Sequence, residues 1–530
     1  MQLTNKQSKV LIVGAGPSGL MMAAQLLRYG IQPLIIDDKQ GPANHSQALA
    51  VQARTLEIYS QMGISDRAVS EGKRAKGLQY YPYGNTPVTL ELTDTGRGQT
   101  PFPFVLLFEQ NKNERLLLDY LTSHACPVYW ETSLETLQYN NITIVAKLIQ
   151  PAGIQTINCD WVIGADGAHS TVRKQLQIPF SGETYAHHFY LIDAVLGAPY
   201  REDDLIQIYL GKRNFVGLFP LRDKNTFRII GKLSYDTSEQ ISVDELIPEI
   251  AATTGTDLNL KKVNWFTSYK LHHRMADRFR DHRCFLIGDA AHIHSPVGGQ
   301  GMNTGIQDAY NLAWKLAGVI NGNINENILN SYSEERIPVA RKLLATTDRA
   351  FNIGLSESWI MDKIKKYILP VVLRFLWEKQ KPRNAFFKQL SQTGISYRDS
   401  KINLHLAKSE QIRAGDRIPF IEIYDEKKKE ETDLHAWCSK PGFTLIILGK
   451  FDDMLLFNIA KWISTRYPGI VNFFYLPPSG KNLAVFDAFE TDPHREKAII
   501  VRPDTHIGYM NDLVSISMLD NYLKNVAGLL

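Results

Sequence analysis

Cysteine is scarce in this chain: Cys126, Cys159, Cys284 and Cys438 are its only four, and no two form a CxxC pair or sit at metal-ligand spacing. The scarcity excludes a disulfide framework and a thiolate metal site, and it predicts reduced thiols in a cytoplasmic setting. An excess of charge of one sign is lacking too. With 59 basic against 55 acidic residues the net charge is +4, too small over 530 residues to argue for nucleic acid. No apolar run approaches a membrane span, and Met1 to Ser8 lead into an apolar strand without the features of a signal peptide. These absences leave a multidomain enzyme as the default, since a chain of this length that is 44% hydrophobic fills more than one core.

What is present starts with a rhythm. Lys9 to Val13 is a short branched apolar run, Pro17 to Tyr29 has helical spacing, and Pro33 to Asp37 is a second apolar run ending in acid. This predicts β-α-β around Gly14-Ala15-Gly16-Pro17-Ser18-Gly19, with Asp37 about twenty residues on and placed to accept from a ribose. The glycines permit a tight turn and close approach to a pyrophosphate, while the helix start offers unpaired N–H groups and about half a positive charge. A second loop of this kind lies far away at Gly288 to Asn303, reading as strand end, acidic turn, glycine-rich loop and helix start. Two anion-handling loops suit a long, bent dinucleotide held at both ends, and FAD fits that better than NAD.

Helical patterns at Arg54 to Met62 and Glu114 to His124 belong to the same α/β body, as does a strand at Trp161 to Ile163 leading into Asp166-Gly167. From about Phe180 to Tyr269 the pattern alternates, in Leu205 to Leu210, Phe215 to Leu221 and Phe227 to Lys232, which predicts an inserted antiparallel sheet. The α/β pattern returns at Cys284. The expected organisation is therefore a cofactor domain split over 1–179 and 271–350, a sheet domain at 180–270, a helical linker at 351–396 and a terminal α/β domain at 397–530. In that last unit Phe443 to Leu448, Ile470 to Leu476 and Ala498 to Val501 read as strands, and Glu426 to Glu431 as a solvated hairpin tip. Trp359 to Leu390 mixes Ile, Leu and Trp with many Lys and Arg, a composition also seen at membrane interfaces; Pro370 interrupts it, and a linker packed between domains is the preferred reading.

Asp160-Trp161-Val162-Ile163-Gly164-Ala165-Asp166-Gly167-Ala168-His169-Ser170-Thr171-Val172-Arg173 closely resembles the second fingerprint of the FAD-dependent aromatic-ring hydroxylases of the p-hydroxybenzoate hydroxylase type. Gly288 to Asn303 resembles their third. The likeness covers about residues 9 to 350 and, more weakly, 397 to 530, as in the longer phenol and polyketide hydroxylases. It implies a Rossmann-like FAD-binding domain of the glutathione reductase type, an inserted substrate sheet and a thioredoxin-like terminal domain, here without CxxC and so structural or oligomeric, as in a homodimer.

By that resemblance Asp166 lies near the pyrophosphate and the nicotinamide approach. Gly288 and Asp289 hold the ribityl chain, and Pro296, Gly298, Gly301, Met302 and Asn303 border the isoalloxazine. A helix N-terminus there suits reduced flavin, which is an anion. Gln110 is implied to contact the cofactor, Leu134 to meet the adenine through its backbone, and Gln47 to stand where an arginine is common. The acid of phenol hydroxylases aligns near Leu49, so simple phenol is disfavoured. Arg274 either aids NAD(P)H, as in the family, or belongs to a helical turn with surface ion pairs.

The implied reaction uses NADPH or NADH and O2 to hydroxylate a small phenolic or polycyclic aromatic substrate through a C4a-hydroperoxyflavin. No side chain need act as nucleophile, and Pro296 and Arg274 are the only catalytic candidates. Tyr209, Phe215, Phe219 and Arg228 are substrate candidates on the sheet, although alternation does not say which face is inward. His292 and His294 lack a third ligand nearby, so no metal is expected. The competing readings are an FAD-dependent dehydrogenase or reductase, and a non-catalytic flavin-binding protein.

Overall fold

The computed structural model describes residues 6–45, 48–83, 86–93, 95–139, 143–197, 204–211, 214–233, 241–294, 298–356 and 358–530; the expectations placed on Gln47 and Pro296 lie outside them. The first apolar run forms the strand Gln7–Val13, whose last four residues are buried. It pairs in parallel with Leu34–Ile36 on one side and Gly153–Gly164 on the other. Cys284–Leu286 then joins Gly153–Gly164, also in parallel. One sheet thus draws strands from both ends of the first 290 residues. Its strands read as continuous apolar runs because helices cover the faces, among them Pro17–Arg28 and the almost wholly buried Gly301–Ile320.

The inserted sheet is larger than its alternating sequence suggests. It has eight strands, in the order His292–Ile293, Leu260–Ala276, Phe180–Leu196, Thr226–Lys232, Phe215–Pro220, Leu205–Leu210, Gly77–Pro82 and Val88–Glu91. Two edge strands therefore come from residues 77–91, inside the stretch assigned to the cofactor domain. Leu260–Ala276 also runs beyond residue 270, so Arg274 stands on a strand and not on a helical turn. A helix absent from the sequence reading, Val243–Thr254, starts at a Ser242–Glu245 capping box and stops at Gly255 in the left-handed region. Its Leu246 and Ile250 pack on Tyr190, Ile192, Val216, Leu218 and Phe227, which closes one face of the sheet.

The terminal domain holds a five-stranded mixed sheet ordered Leu404–His405, Ile507–Asn511, Lys497–Val501, Phe443–Leu448 and Val471–Leu476. Residues 426–429 turn the exposed hairpin between Glu422–Asp425 and Glu430–Asp433. All four cysteines are buried, and burial pushes their thiols up to about 11 or 12.

A buried ionic cluster joins this domain to the cofactor domain. Glu335 accepts from Arg502 at 2.6 and 2.9 Å, from Lys315 at 2.8 Å, and from Asn311 and Ser400 at 2.7 Å each. Burial opposes its charge, but Arg502 and Lys315 outweigh burial and hold the carboxyl down at about 2. Of the stretch expected to pack between domains, the helix Gln380–Leu390 buries Phe387 against Gly96. The helices Trp359–Lys363 and Leu369–Trp377 bury none of their residues and lie on the outside of the sheet edge.

Candidate functional site

Three glycines in the first loop do different work. Gly14, at φ 105°, leaves no room for a Cβ against the Ala165 carbonyl, and a Cβ on Gly19 would collide with the Gly14 carbonyl oxygen. Those two hold the turn against the sheet. Gly16 instead faces open space, with nothing within 4 Å of the position a Cβ would take. The helix Pro17–Arg28 starts at Gly16 without a side-chain cap, so its first N–H groups face that space bare. Asp37 accepts from the Ala15 N–H at 2.6 Å and the Lys39 N–H at 2.9 Å. A carboxylate has about four acceptor positions, so roughly two are left for ribose hydroxyls.

Asp166 is committed locally. It accepts from the Ser170 hydroxyl at 2.5 Å and from the Thr171 and Val172 N–H groups at 2.7 and 3.1 Å, which secures the start of the helix Thr171–Gln175. Its loop reaches the first one through the Ala165 N–H, which donates to the Val13 carbonyl at 2.8 Å. Ser18, a cofactor candidate by sequence, points its hydroxyl into the narrow gap between Gly288 and Gly305. It packs the first loop against the third.

In the run Cys284 to Ala291 every residue is buried except Asp289, which is exposed. Among the described residues no donor reaches the Asp289 carboxylate. The protein mass around it nevertheless pushes the carboxyl above its ordinary value, with His292 opposing and Asp308 adding to the shift. Accessible area together with a desolvated carboxyl describes an acid that reaches solvent from within dense protein. Just beyond it, the helix Gly301–Ile320 also starts without a side-chain cap. Missing caps are not special to these loops: Ser242, Asp433 and Asp452 each accept from their own helix start, but Ala53–Gln61, Gln110–Ser123 and Gln380–Leu390 also start without one. What distinguishes Pro17–Arg28 and Gly301–Ile320 is that both uncapped starts follow glycine loops.

The loop is held from behind. Asp308, fully buried, accepts from the Gly288 N–H at 3.1 Å, pairs with His292 Nε2 at 2.8 Å and accepts from Arg336 at 2.6 Å. Burial disfavours its charge, yet Arg336 and His292 hold the carboxyl below its usual range. Arg336 also donates to the Tyr397 hydroxyl at 2.9 Å. The Asn303 side chain is equally occupied: it accepts from the Gln52 N–H at 2.8 Å and the Thr55 hydroxyl at 2.7 Å, and donates to the Ala50 and Gly299 carbonyls at 2.9 and 2.8 Å. It fastens residues 50–55 to the helix start, so the groups left to border a cofactor are backbone. Gly298, at φ 79°, Gly301 and Met302 lie along that start. Gln110 heads the helix Gln110–Ser123, donating to Glu114 at 3.0 Å, and Leu134 is buried in the strand Ser133–Tyr139 near the Asp37 end.

The sheet face is now decided. Arg228 is buried and held by Asp193 through two bonds of 2.8 Å, and it also donates at 3.3 Å to the carbonyl of Ala48, in the loop fastened by Asn303. Its cross-strand neighbour Phe219 shares that face and packs in an apolar wall with Leu49, Leu107, Ile206 and Leu390. Phe215 lies on the same face, further along, against Phe189 and Leu271. Tyr209 lies on the opposite face, stacked on Tyr81 under the helix Val243–Thr254, and leaves the candidate set. Arg274 pairs through its strand with Ile293, beside the third loop; its guanidinium meets the Thr184 hydroxyl at 3.3 Å and no carboxylate among the described residues. The resemblance to the family continues through Asp308 to Leu316 and Ser331 to Arg336, read from sequence as supporting helices; Asp193 went unassigned, because a buried ion pair between distant elements leaves no local pattern.

These features fit FAD: open space at Gly16, uncapped helix starts after two glycine loops, Asp37 bonded beside the first loop and Asp289 accessible in the third. Among the described residues no three metal-ligating side chains converge. A family model described as an FAD binding domain matches residues 7–347. The 6-methylpretetramide 4-monooxygenase of Streptomyces rimosus is 32% identical over 400 residues, covering 74% of this chain and 71% of that protein. Pentachlorophenol 4-monooxygenase of Sphingobium chlorophenolicum is 33% identical over 419 residues, covering 78% and 76%. A solved aklavinone-11 hydroxylase, in complex with FAD and aklavinone, shares the fold at a TM-score of 0.82 and 20% identity, covering 99% of this chain and 100% of that one. With the FAD binding domain matched across residues 7–347 and both relatives aligned over about three quarters of the chain, this protein belongs to the FAD-binding family of flavin-dependent aromatic monooxygenases.

Proposed function

We propose that the protein is a single-component hydroxylase of polycyclic phenols, using O2 and either NADPH or NADH. The observation that carries this reading is Asp289, an accessible acid without a hydrogen-bond partner among the described residues, in the glycine-rich segment ahead of the uncapped helix Gly301–Ile320. Gly14 to Gly19 and Asp37 would hold the nucleotide half of FAD, and Asp289 with the Gly301 and Met302 N–H groups the flavin half. The flavin supplies redox and oxygen-transfer chemistry that no side chain here possesses. The chain's own part is to orient the substrate and exclude water.

Leu49 stands in the apolar wall with Phe219 and Ile206, which favours a large ring system over simple phenol. Arg228, held by Asp193, is a cation on that face beside the Ala48 carbonyl, and it suits a phenolate or ring carbonyl oxygen. Relatives named for 6-methylpretetramide and pentachlorophenol support an electron-rich aromatic substrate. Arg274, with no carboxylate partner, is assigned to the phosphates of NAD(P)H. We read the parallel sheet as Rossmann-like of the glutathione reductase type. The terminal sheet suits a thioredoxin-like unit whose role is structural, since Cys438 is buried and burial pushes its thiol up to about 12. A cytoplasmic location accords with four buried thiols.

The test is NADH and NADPH oxidation by the purified yellow protein, with phenols and polycyclic aromatics under 18O2. Polycyclic phenols should accelerate oxidation and yield labelled product. In Arg274→Ala the KM for the reductant should rise about tenfold, the loss of a charge-assisted contact of ~1.4 kcal/mol, with FAD occupancy unchanged. Flavin reduction without labelled product would favour the dehydrogenase reading, and flavin that no reductant reduces would sink the enzyme reading.

A further inference from the structure

The segment that lies outside the packed domains carries an apolar stripe facing water. The helices Trp359–Lys363 and Leu369–Trp377 are continuous through a wide turn at Ile364–Ile368. Polar bonds fasten this rod to the edge strands of the substrate sheet: the Tyr80 hydroxyl donates to the Lys365 carbonyl at 3.1 Å, Tyr83 to Asp362 at 2.5 Å, and the Trp377 indole to the Glu91 carbonyl at 3.1 Å. On its outer side Tyr367, Val371 and Phe375 follow at four-residue spacing, with Ile368, Val372 and Leu376 beside them, and these six are 41 to 67% exposed. Trp359, 67% exposed, extends the stripe. An amphipathic helix ordinarily turns such a stripe to the core. This one turns it outward, and a contiguous apolar patch on a surface marks an interaction site.

The charge around the stripe identifies the partner. From Trp359 to Leu390 there are eight Lys or Arg against two acids, while the rest of the chain sums to a slight negative charge. The cations border the rings: Lys363 lies 4.9 Å from the Trp359 ring centre, Lys366 5.3 Å from Tyr367 and Lys379 4.0 Å from Phe375. A second copy docked face to face would bring two such cationic surfaces together, which costs association. A bilayer with anionic headgroups offers both complements, negative charge at the level of the lysines and apolar chains beneath for the rings. No helix among the described residues is long and apolar enough to cross a membrane, so the rod would lie in the headgroup plane.

We propose that the outer face of residues 359–377 docks this protein on anionic phospholipid membranes. The inference is independent of the substrate reading. The test is cosedimentation of the full-length, FAD-loaded protein with vesicles of phosphatidylcholine alone or with about 30% phosphatidylglycerol. Binding should be roughly tenfold stronger to the anionic vesicles and should weaken with added salt, as charge attraction requires. Val371→Glu with Phe375→Glu, both on exposed positions, should lower that binding by at least about tenfold while flavin spectrum and elution volume stay unchanged. Lys363→Gln with Lys366→Gln and Lys379→Gln should remove the preference for phosphatidylglycerol. Failure of the unaltered protein to bind either vesicle would overturn the proposal. So would equal binding by the glutamate variant, or a dimer that this variant dissociates in the absence of vesicle binding.

Discussion

Replacing Asp289 by alanine should strip FAD from the protein without unfolding it. The side chain is exposed within a buried run and receives no hydrogen bond from any described residue, so little of the folded structure depends on it. Substitutions of that kind stay within about 0.5 kcal/mol of the parent stability. Toward the cofactor the arithmetic differs. A hydrogen bond to a charged acceptor contributes about 1.5–3 kcal/mol, which corresponds to a roughly 10- to 150-fold rise in the FAD Kd. Asp289→Asn keeps an acceptor but loses the charge, so its Kd should fall between the two. Quenching of FAD fluorescence by apoprotein gives the affinities, and denaturant midpoints of the same apoproteins give the stabilities. The protein around Asp289 pushes its carboxyl upward, so native FAD affinity should begin to fall, as pH is lowered, above the ordinary aspartate range. The asparagine variant should lack that titration. An unchanged Kd in Asp289→Ala would refute the assignment, and a midpoint that fell along with affinity would show that the residue serves the fold instead.

Gly16 and Gly19 should part ways when changed to alanine: Gly19→Ala meets the Gly14 carbonyl and should cost about 1–3 kcal/mol or fail to fold, whereas Gly16→Ala meets nothing and should leave apoprotein stability near the parent while weakening FAD by about tenfold or more. Equal stability losses in the two variants would contradict the roles argued from the loop. Glu335→Gln leaves Lys315 buried without its counterion and Arg502 with Asp504 alone, and should destabilise the seam by about 3–5 kcal/mol at neutral pH. Because the folded carboxyl sits at about 2, below its unfolded value of roughly 4.3, its contribution is complete above the higher figure and disappears as pH falls through the lower one. Urea midpoints of variant and parent should therefore converge near pH 2, and a gap of constant size down to that pH would rule this out.

The sequence alone was enough to determine the elements whose physics is local. A glycine turn, an unpaired helix start and an acid one strand later lie within about thirty residues, so Gly14 to Asp37 reads as a nucleotide site before any fold is known. The same holds for Gly288 to Asp289 and the helix that follows. Tertiary structure alone decided matters that pattern leaves degenerate. A period of two gives a strand two faces without ranking them, and only the helix Val243–Thr254 on one side consigned Tyr209 to the core and left Phe219 and Arg228 toward the loop. The edge strands at 77–91 were hidden because strand partners distant in sequence need share no local signal. The clasps Asp308–Arg336 and Glu335–Arg502 join residues 28 and 167 positions apart, and no local pattern pairs such charges before the fold brings them together. The stripe from Tyr367 to Leu376 follows the same logic: sequence makes one side of a helix apolar, and only packing decides whether that side meets a core or the world outside.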